Sequence, residues 1–448
     1  MTTYPFLWGL IVSSITTGPQ EGILELTDIR RHAGGTFQND ENLTLWDGVA
    51  GTWTNAAMVM GDELTPDVIV SELGESWSEP QFGLVKTTND DTDGTAVFFI
   101  GGGYSENNSA GRVVVAINVF TGEVVRKFTD INTYTTDTEH TTDTNIYHSV
   151  PSSVKVVDED NNGFVDKVYV GDLGGQVWRF GQVSVDSDGN ALSFPNSDEN
   201  INNWTGQILF RAPTYVVDAV TYTRKFFYPP SVTLEHGYDL IFIGTGDREA
   251  ACDTTTGADR IYSIKDTHAS NTLTEADLVD VTDPLAKTPN LDLTNSDVDI
   301  NGQYDQGWYI RLVDQSDAAV GEKVLANGTV FYKTLYITTF TPNNHPCLPG
   351  GEGRLYAVNY KTGRAVLFLG GDIDGDGNPD LTRSVMIGGG IPSKPVMVIK
   401  QGSRKILISV GSTTPEATSE ILDAGIVGID PLEPSKNFFV RWWRQLFG

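Results

Sequence analysis

Short apolar runs separated by clusters of Gly, Asn and Asp recur along the chain, while long stretches with an apolar residue every three or four positions are scarce. Runs of this length, bounded by turn residues, predict β-strands. They come in pairs. The first members are Phe6–Val12, Ala96–Ile100, Lys167–Val170, Leu240–Ile243, Thr334–Thr338 and Lys405–Val410. The second members are Gly22–Thr27, Arg112–Asn118, Gly175–Phe180, Arg260–Lys265, Arg354–Asn359 and Gly425–Asp430. A Thr-Gly turn follows twice, at Thr121-Gly122 and Thr362-Gly363, and a further strand ahead of the pair is announced by Pro80, Pro151, Pro230 and Pro395.

A single hairpin cannot bury its apolar face, so the repeated units must pack on one another. Small antiparallel sheets packed radially solve this with short, protected edges, which predicts an all-β fold of β-propeller type. The units are spaced by roughly 60–95 residues, wider than the ~40–45 of WD-type blades. The excess falls in polar insertions such as Asp130–Tyr147 and Ala250–Gly257. A set of β-sandwiches is the alternative, and the even recurrence of the motif argues against it. Residues 1–448 are read as one propeller domain, with 1–72 a divergent or incomplete first blade because only one convincing hairpin occurs there. Trp77 and Trp178 lie in strand motifs and are expected to fill gaps between blades. Trp442-Trp443, flanked by Arg441 and Arg444, either closes the ring as a last strand or forms a partner-binding tag.

One turn carries candidate chemistry. Asp158 to Asp166 reads D-E-D-N-N-G-F-V-D, with oxygen-bearing side chains at positions 1, 3, 5 and 9: Asp158, Asp160, Asn162 and Asp166. Gly163 stands where the loop must turn, and Phe164 can offer its carbonyl. A hard cation seeking six to eight oxygens at about 2.3–2.6 Å is served by this spacing. Three carboxylates so close repel one another unless a cation lies between them. Position 12 is Tyr169 inside an apolar run, so the loop is not an EF-hand, and Asp166 must close the shell. The expectation is one calcium ion here. Asp372 to Asp380 repeats the pattern with Asp372, Asp374, Asp376 and Asp380, plus Asn378 at position 7, and predicts a second ion. Asn89 to Gly94 and Asp186 to Asn190 lack a closing acid and read as plain turns.

Charge narrows the partners. With 59 acids against 30 bases the formal net charge is −29. Phosphate-mediated binding to nucleic acid is disfavoured, and anionic membrane surfaces are repelled. Cys252 and Cys347 are too few for a disulfide framework; they are either a bridge between two loops or two separate thiols. Phe6–Val12 is too short to span a membrane and lacks the basic flank of a signal peptide, so it reads as a buried strand of a chain that begins inside a larger protein.

Several longer motifs then point to a family. Gly171–Phe180 (G-D-L-G-G-Q-V-W-R-F), directly after the first acidic loop, resembles the C-terminal domain of the PilC/PilY family of type IV pilus tip-associated biogenesis proteins and adhesins. Leu73–Pro80, Ile100–Tyr104, Phe226–Val232, Ile243–Glu249, Thr338–Pro342, Cys347–Val358 and Gly388–Val396 agree in order. The resemblance implies a modified propeller of about seven blades, quinoprotein-like in shape. It implies a place at the pilus tip or outer surface of a Gram-negative-type bacterium, with pilin or minor pilin partners, a possible surface receptor, and support of assembly against retraction. It also maps the family's calcium loop onto Asp158, Asp160, Asn162, Phe164 and Asp166, and links calcium to control of extension and retraction. The long N-terminal region usual in the family has no counterpart here, so adhesion roles that depend on it do not carry over.

No catalytic constellation emerges. The chain shows no G-x-S-x-G elbow, HExxH or P-loop. A quinoprotein dehydrogenase is the alternative enzyme reading, but the adjacent cysteines many of them place over the quinone are missing. In Asp247-Arg248-Glu249, Arg248 is expected to pair with nearby acids and fix a loop. The expectation is a non-catalytic, calcium-binding module acting through protein contacts.

Overall fold

The computed structural model describes residues 7–18, 21–31, 42–46, 53–57, 73–88, 90–128, 146–181, 200–254, 257–268, 271–283, 289, 291, 305–343, 350–367, 381–400, 403–412, 420–423 and 425–431. The chain forms two compact units, Met1–Val70 and Ser71–Gly448. In the first, Leu7–Gly18 pairs with Glu21–Arg31 and Asn42–Trp46 with Trp53–Ala57, both antiparallel.

Among its described residues the second unit holds five sheets of four or five strands, A to E in chain order, and a separate two-stranded hairpin, Tyr215–Val217 with Val220–Tyr222. Sheet A is Gln81–Val85, Thr95–Gly101, Val114–Asn118 and Val124–Phe128. Sheet B runs outward from Lys155–Val157 through Lys167–Gly171 and Gln176–Gly181 to Thr205–Arg211. Sheet C is Ser231–Glu235, Tyr238–Gly244, Arg260–Asp266 and Gly307–Arg311. Sheet D is Thr329–Phe331, Thr334–Pro342, Gly351–Asn359 and Ser384–Gly389. In sheet E the order is Val396–Lys400, Ser403–Ser409, Ile426–Ile429 and Glu420–Asp423. All six predicted hairpins pair as expected, and each proline-announced strand is the innermost of its sheet.

The central strands of sheets B, C and D are apolar on both faces because each of these sheets is covered twice. Successive side chains of a strand point to opposite faces. Val168 and Val170 of sheet B enter one core with Phe99, Val114 and Ala116 of sheet A, while Tyr169 between them enters another with Ile241, Ile243 and Tyr262 of sheet C. Leu240 and Phe242 turn the other way, toward Leu335 and Ile337 of sheet D. Tyr336, between those two, joins Ile406 and Ile408 of sheet E. Four cores therefore alternate with five sheets in sequence, which is the layering of a propeller. Hydroxyls stitch the inner ends together: Ser231 donates to the Gly328 carbonyl at 2.5 Å, and Thr329 to the Pro395 carbonyl at 2.6 Å.

Two short strands cross between blades. Leu273–Thr274 and Val279–Asp280 follow the third strand of sheet C in sequence, yet the former lies parallel on the outer edge of sheet B and the latter on that of sheet C. Trp178 fills the gap between sheets A and B, fully buried, with its indole donating to Asp172 at 2.8 Å. Trp77 does not behave as expected. It lies outside any strand, 36% exposed, and stacks on Tyr104 at 5.7 Å and Phe227 at 5.8 Å. The Gly74 amide donates to the Gly102 carbonyl and Glu75 exchanges hydrogen bonds with Tyr104, and Trp77 lies at the inner rim beside Phe227 instead of between sheets.

Candidate metal centre

The loop between the first two strands of sheet B is held at both ends by its own ladder, since Val157 pairs with Lys167. Between them the backbone must reverse within a few residues. It does so through Asn161 at φ 60° and Gly163 at φ 98°. A Cβ at position 163 would meet nothing within 4 Å, so glycine is required there for its backbone freedom and not for space.

The acidic side chains turn inward on the loop's own amides. Asp158 accepts from the amides of Asn162 (3.1 Å) and Gly163 (2.9 Å). Asp160 accepts from the Asn162 amide at 3.0 Å and from its side-chain nitrogen at 3.0 Å. Asn162 Oδ1 accepts from the Phe164 amide at 2.8 Å. Asp166 closes the loop, accepting from the Glu159 amide at 2.6 Å. Asp158, Asp160 and Asp166 each present a carboxylate oxygen, and these lie within 4.8 Å of one another. Oxygens on opposite sides of a calcium ion are separated by about twice its 2.3–2.6 Å bond, so the cluster has the right span.

Asp166 is the strained member. It is only 4% exposed, and its Oδ1 is buried without a hydrogen-bond partner. Burial pushes its carboxyl up to about 7; the Glu159 amide opposes this, and the charges of Asp160 and Asp158 add to it. A carboxylate oxygen left this way costs several kcal/mol unless something pairs with it. The donor set is all oxygen and anionic, which suits a hard divalent cation and not a soft one. Three of the four side chains predicted at positions 1, 3, 5 and 9, those of Asp158, Asp160 and Asp166, are thus brought together, while Asn162 turns its amide nitrogen to Asp160 and its oxygen to the Phe164 amide. The second predicted loop, Asp372, Asp374, Asp376, Asn378 and Asp380, lies outside the described residues, as do Cys347 and Trp442-Trp443. Cys252 is an exposed free thiol.

Sequence reasoning missed a second cluster, directly behind the loop. Glu159, at loop position 2, points away from the other acids and meets Lys167 Nζ at 2.5 Å. Lys167 also meets Asp239 of sheet C at 2.8 Å and His268 at 2.8 Å. Tyr169 donates to Asp239 at 2.7 Å and is also 2.7 Å from Asp266, which pairs with Arg179 at 2.5 Å. Burial alone would raise Asp239, but the His268 hydrogen bond and the Lys167 ammonium hold it below the usual carboxylate range. Asp266 is likewise held well below that range, against burial, chiefly by Arg179. Burial pushes Glu159 up even beside Lys167. The network ties the acidic loop to the interface between sheets B and C. Its one sequence signal was charge at the head of apolar strands, as in Lys167-Val168-Tyr169 and Tyr238-Asp239-Leu240.

Arg248 departs from expectation. Among the described residues it makes no ion pair; Asp247 pairs instead with Lys225 at 2.6 Å. The Arg248 guanidinium lies 5.1 Å from the Trp77 ring and donates to the Tyr228 hydroxyl at 2.6 Å. A weakly hydrated planar cation gains from aromatic faces, and Lys225 already neutralises the nearest acid.

Known proteins place this architecture. The family model described as the PilY1 beta-propeller domain matches residues 50–287, more than half of the chain. The type IV pilus biogenesis factor PilY1 homolog of Xylella fastidiosa is 25% identical over 379 residues, covering 79% of this chain and 25% of that protein. PilY1 of Pseudomonas aeruginosa strain PAO1 is 26% identical over 345 residues, covering 69% of this chain and 27% of that protein. The chain thus spans about a quarter of the length of these relatives. The crystal structure of the P. aeruginosa PilY1 C-terminal domain superposes with a TM-score of 0.51 at 20% identity, covering 75% of this chain and 71% of that one, a likeness of fold. No helix among the described residues is long and apolar enough to cross a membrane. With five sheets layered through four shared cores and a family model matched across most of the first three, the chain belongs to the PilY1 β-propeller domain family.

Proposed function

We propose that this chain is a calcium-binding propeller that serves type IV pilus biogenesis at the cell surface or pilus tip, through contacts with pilus proteins and without catalysis of its own. The observation that carries the metal reading is the buried, unpartnered Oδ1 of Asp166 inside a cluster of three carboxylates. Asp158, Asp160, Asn162 and Asp166 would hold the ion with their side chains and Phe164 with its carbonyl. The ion would relieve the mutual repulsion of the acids and fix Asp166, whose other oxygen holds the Glu159 amide. Through Glu159 the loop is joined to Lys167 and the sheet B–C interface, so occupancy would stiffen a boundary between blades. Relatives named as type IV pilus biogenesis factors support the cellular role.

Calorimetry and thermal melting test the metal. Calcium is expected to raise Tm in the parent and to do so much less in Asp158→Ala; no binding at millimolar calcium, or equal binding in the variant, would sink the loop reading. Deletion of the gene is expected to reduce surface pili and twitching, and normal piliation would count against the biogenesis role. A quinone chromophore copurifying with the protein would replace the non-catalytic reading with an enzymatic one.

A further inference from the structure

The inner ends of the five sheets enclose a cavity of about 1100 Å³. Its charge is opposite to that of the molecule. The chain carries two acids for every base, yet the charged residues lining this cavity are Lys155, Arg248 and Lys394 against Glu79 alone. None of the three cations has an ion pair among the described residues. Elsewhere the opposite holds: Lys225, Arg260, Arg311 and Lys361 all sit within 3.1 Å of a carboxylate. Lys155 is reached by solvent, but the walls around it desolvate the ammonium and lower its pKa. In so acidic a protein, a concavity lined by cations without ion pairs stands out as a site that attracts anions, and low-dielectric walls strengthen the field that would draw one in.

The walls between these charges are apolar and aromatic. Trp77, Phe227 and Tyr228 form one side, with Arg248 lying between the Trp77 and Tyr228 rings, and Ile391, 51% exposed, lies on another. Ser231–Glu235 and Thr329–Phe331, which also border the cavity, are each the end strand of their sheet and pair on one side only. Their second edges can receive an extended backbone, as in other peptide-recognition sites. A ligand matched to these features carries carboxylates, apolar side chains and a main chain.

We infer that the central cavity is a docking site for an extended acidic peptide segment of a partner protein, whose carboxylates engage Lys155, Lys394 and Arg248 while its apolar side chains lie against the aromatic wall.

The test uses the full chain and an acetylated peptide of about eight residues alternating glutamate and valine, with its glutamine-for-glutamate analogue as control. The acidic peptide is expected to bind, measured by calorimetry with and without calcium, and the analogue to bind at least about tenfold more weakly. Binding should weaken as salt rises, because the attraction is between charges that solvent can reach. The double variant Lys155→Gln/Lys394→Gln changes two exposed side chains, so its Tm should match the parent, and it should raise Kd about tenfold or more. Absence of binding at millimolar peptide, or equal binding by the double variant, overturns the inference. If citrate binds at least as tightly and displaces the peptide with the same dependence on Lys155 and Lys394, the occupant is a free polycarboxylate and the peptide assignment falls.

Discussion

Four buried aspartates in this chain fall into two kinds, and their partners separate them. Asp266 and Asp239 are surrounded by Arg179, Lys167 and His268 and stay ionised. Asp166 and Asp259 lack a close full countercharge and are pushed up. For Asp166 the proposed calcium ion would be the remedy. Asp166→Asn is expected to abolish the calcium-dependent rise in Tm, because the remaining oxygens cannot close the shell. Asp259 has no such remedy. It accepts from the Thr245 hydroxyl at 2.6 Å, and burial raises it to about 6 even with Thr245, Lys323, Arg224 and Arg260 opposing. A carboxyl raised in the folded state favours folding least where it is ionised, so its contribution is fully present below the unfolded pKa near 4 and is lost as pH climbs through 6. Of that loss, the part between pH 5 and 6 is on the order of 1 kcal/mol. Asp259→Asn keeps an acceptor for Thr245 and removes the titration. Its stability relative to the parent should therefore rise by about that amount between pH 5 and pH 8 in urea melts; a constant difference across that range would show that Asp259 does not titrate there.

At the scale of the strand, glycine marks where one blade meets the next. The second strands of sheets A, B and C all end in glycine: Gly101, Gly171 and Gly244. A Cβ at Gly101 would sit 2.5 Å from the Ser152 carbonyl, at Gly171 2.5 Å from Phe226 Cβ, and at Gly244 2.4 Å from Val324. Each of those neighbours lies on the segment leading into the innermost strand of the following sheet. Gly171→Ala should therefore destabilise by about 1–3 kcal/mol through overpacking, with strand content retained; an unchanged urea midpoint would show that the adjoining segment simply yields. These central strands were legible in the sequence because burial on both faces leaves an unbroken apolar run such as Leu240–Ile243. The outer elements were not. Leu273–Thr274 and Val279–Asp280 are two residues each, and their sheet is decided by the path of the connection, which no local pattern encodes. The acidic loop was legible because its ligands are contiguous. The Lys167–Asp239–His268 network and the cavity cations were not, because their members are brought together only when strands from different blades align.

At the scale of the molecule, the candidate sites among the described residues lie in one compact unit. The acidic loop, the buried network behind it and the central cavity all belong to Ser71–Gly448, and every one of the four cores is built from residues of that unit. Among the described residues sheets B, C and D are covered on both faces by neighbouring blades of the same unit. Residues 71–448 produced alone should therefore fold, with a far-UV spectrum dominated by strand and a single thermal transition. The same protein should bind calcium within about threefold of the full chain, since all the ligands proposed at Asp158–Asp166 are retained and the loop is anchored by the Val157–Lys167 pair. Net charge sets a second expectation for both forms. Self-repulsion among surplus acids opposes the compact state, so moderate sodium chloride should raise Tm modestly, and calcium should raise it further at the same ionic strength, most of that further rise being lost in Asp158→Ala. A calcium effect no larger than that of an equal ionic strength of sodium chloride would mean that the ion acts on the general charge of the surface, and a specific effect that is undiminished in Asp158→Ala would move the site from this loop to the acidic run at Asp372–Asp380.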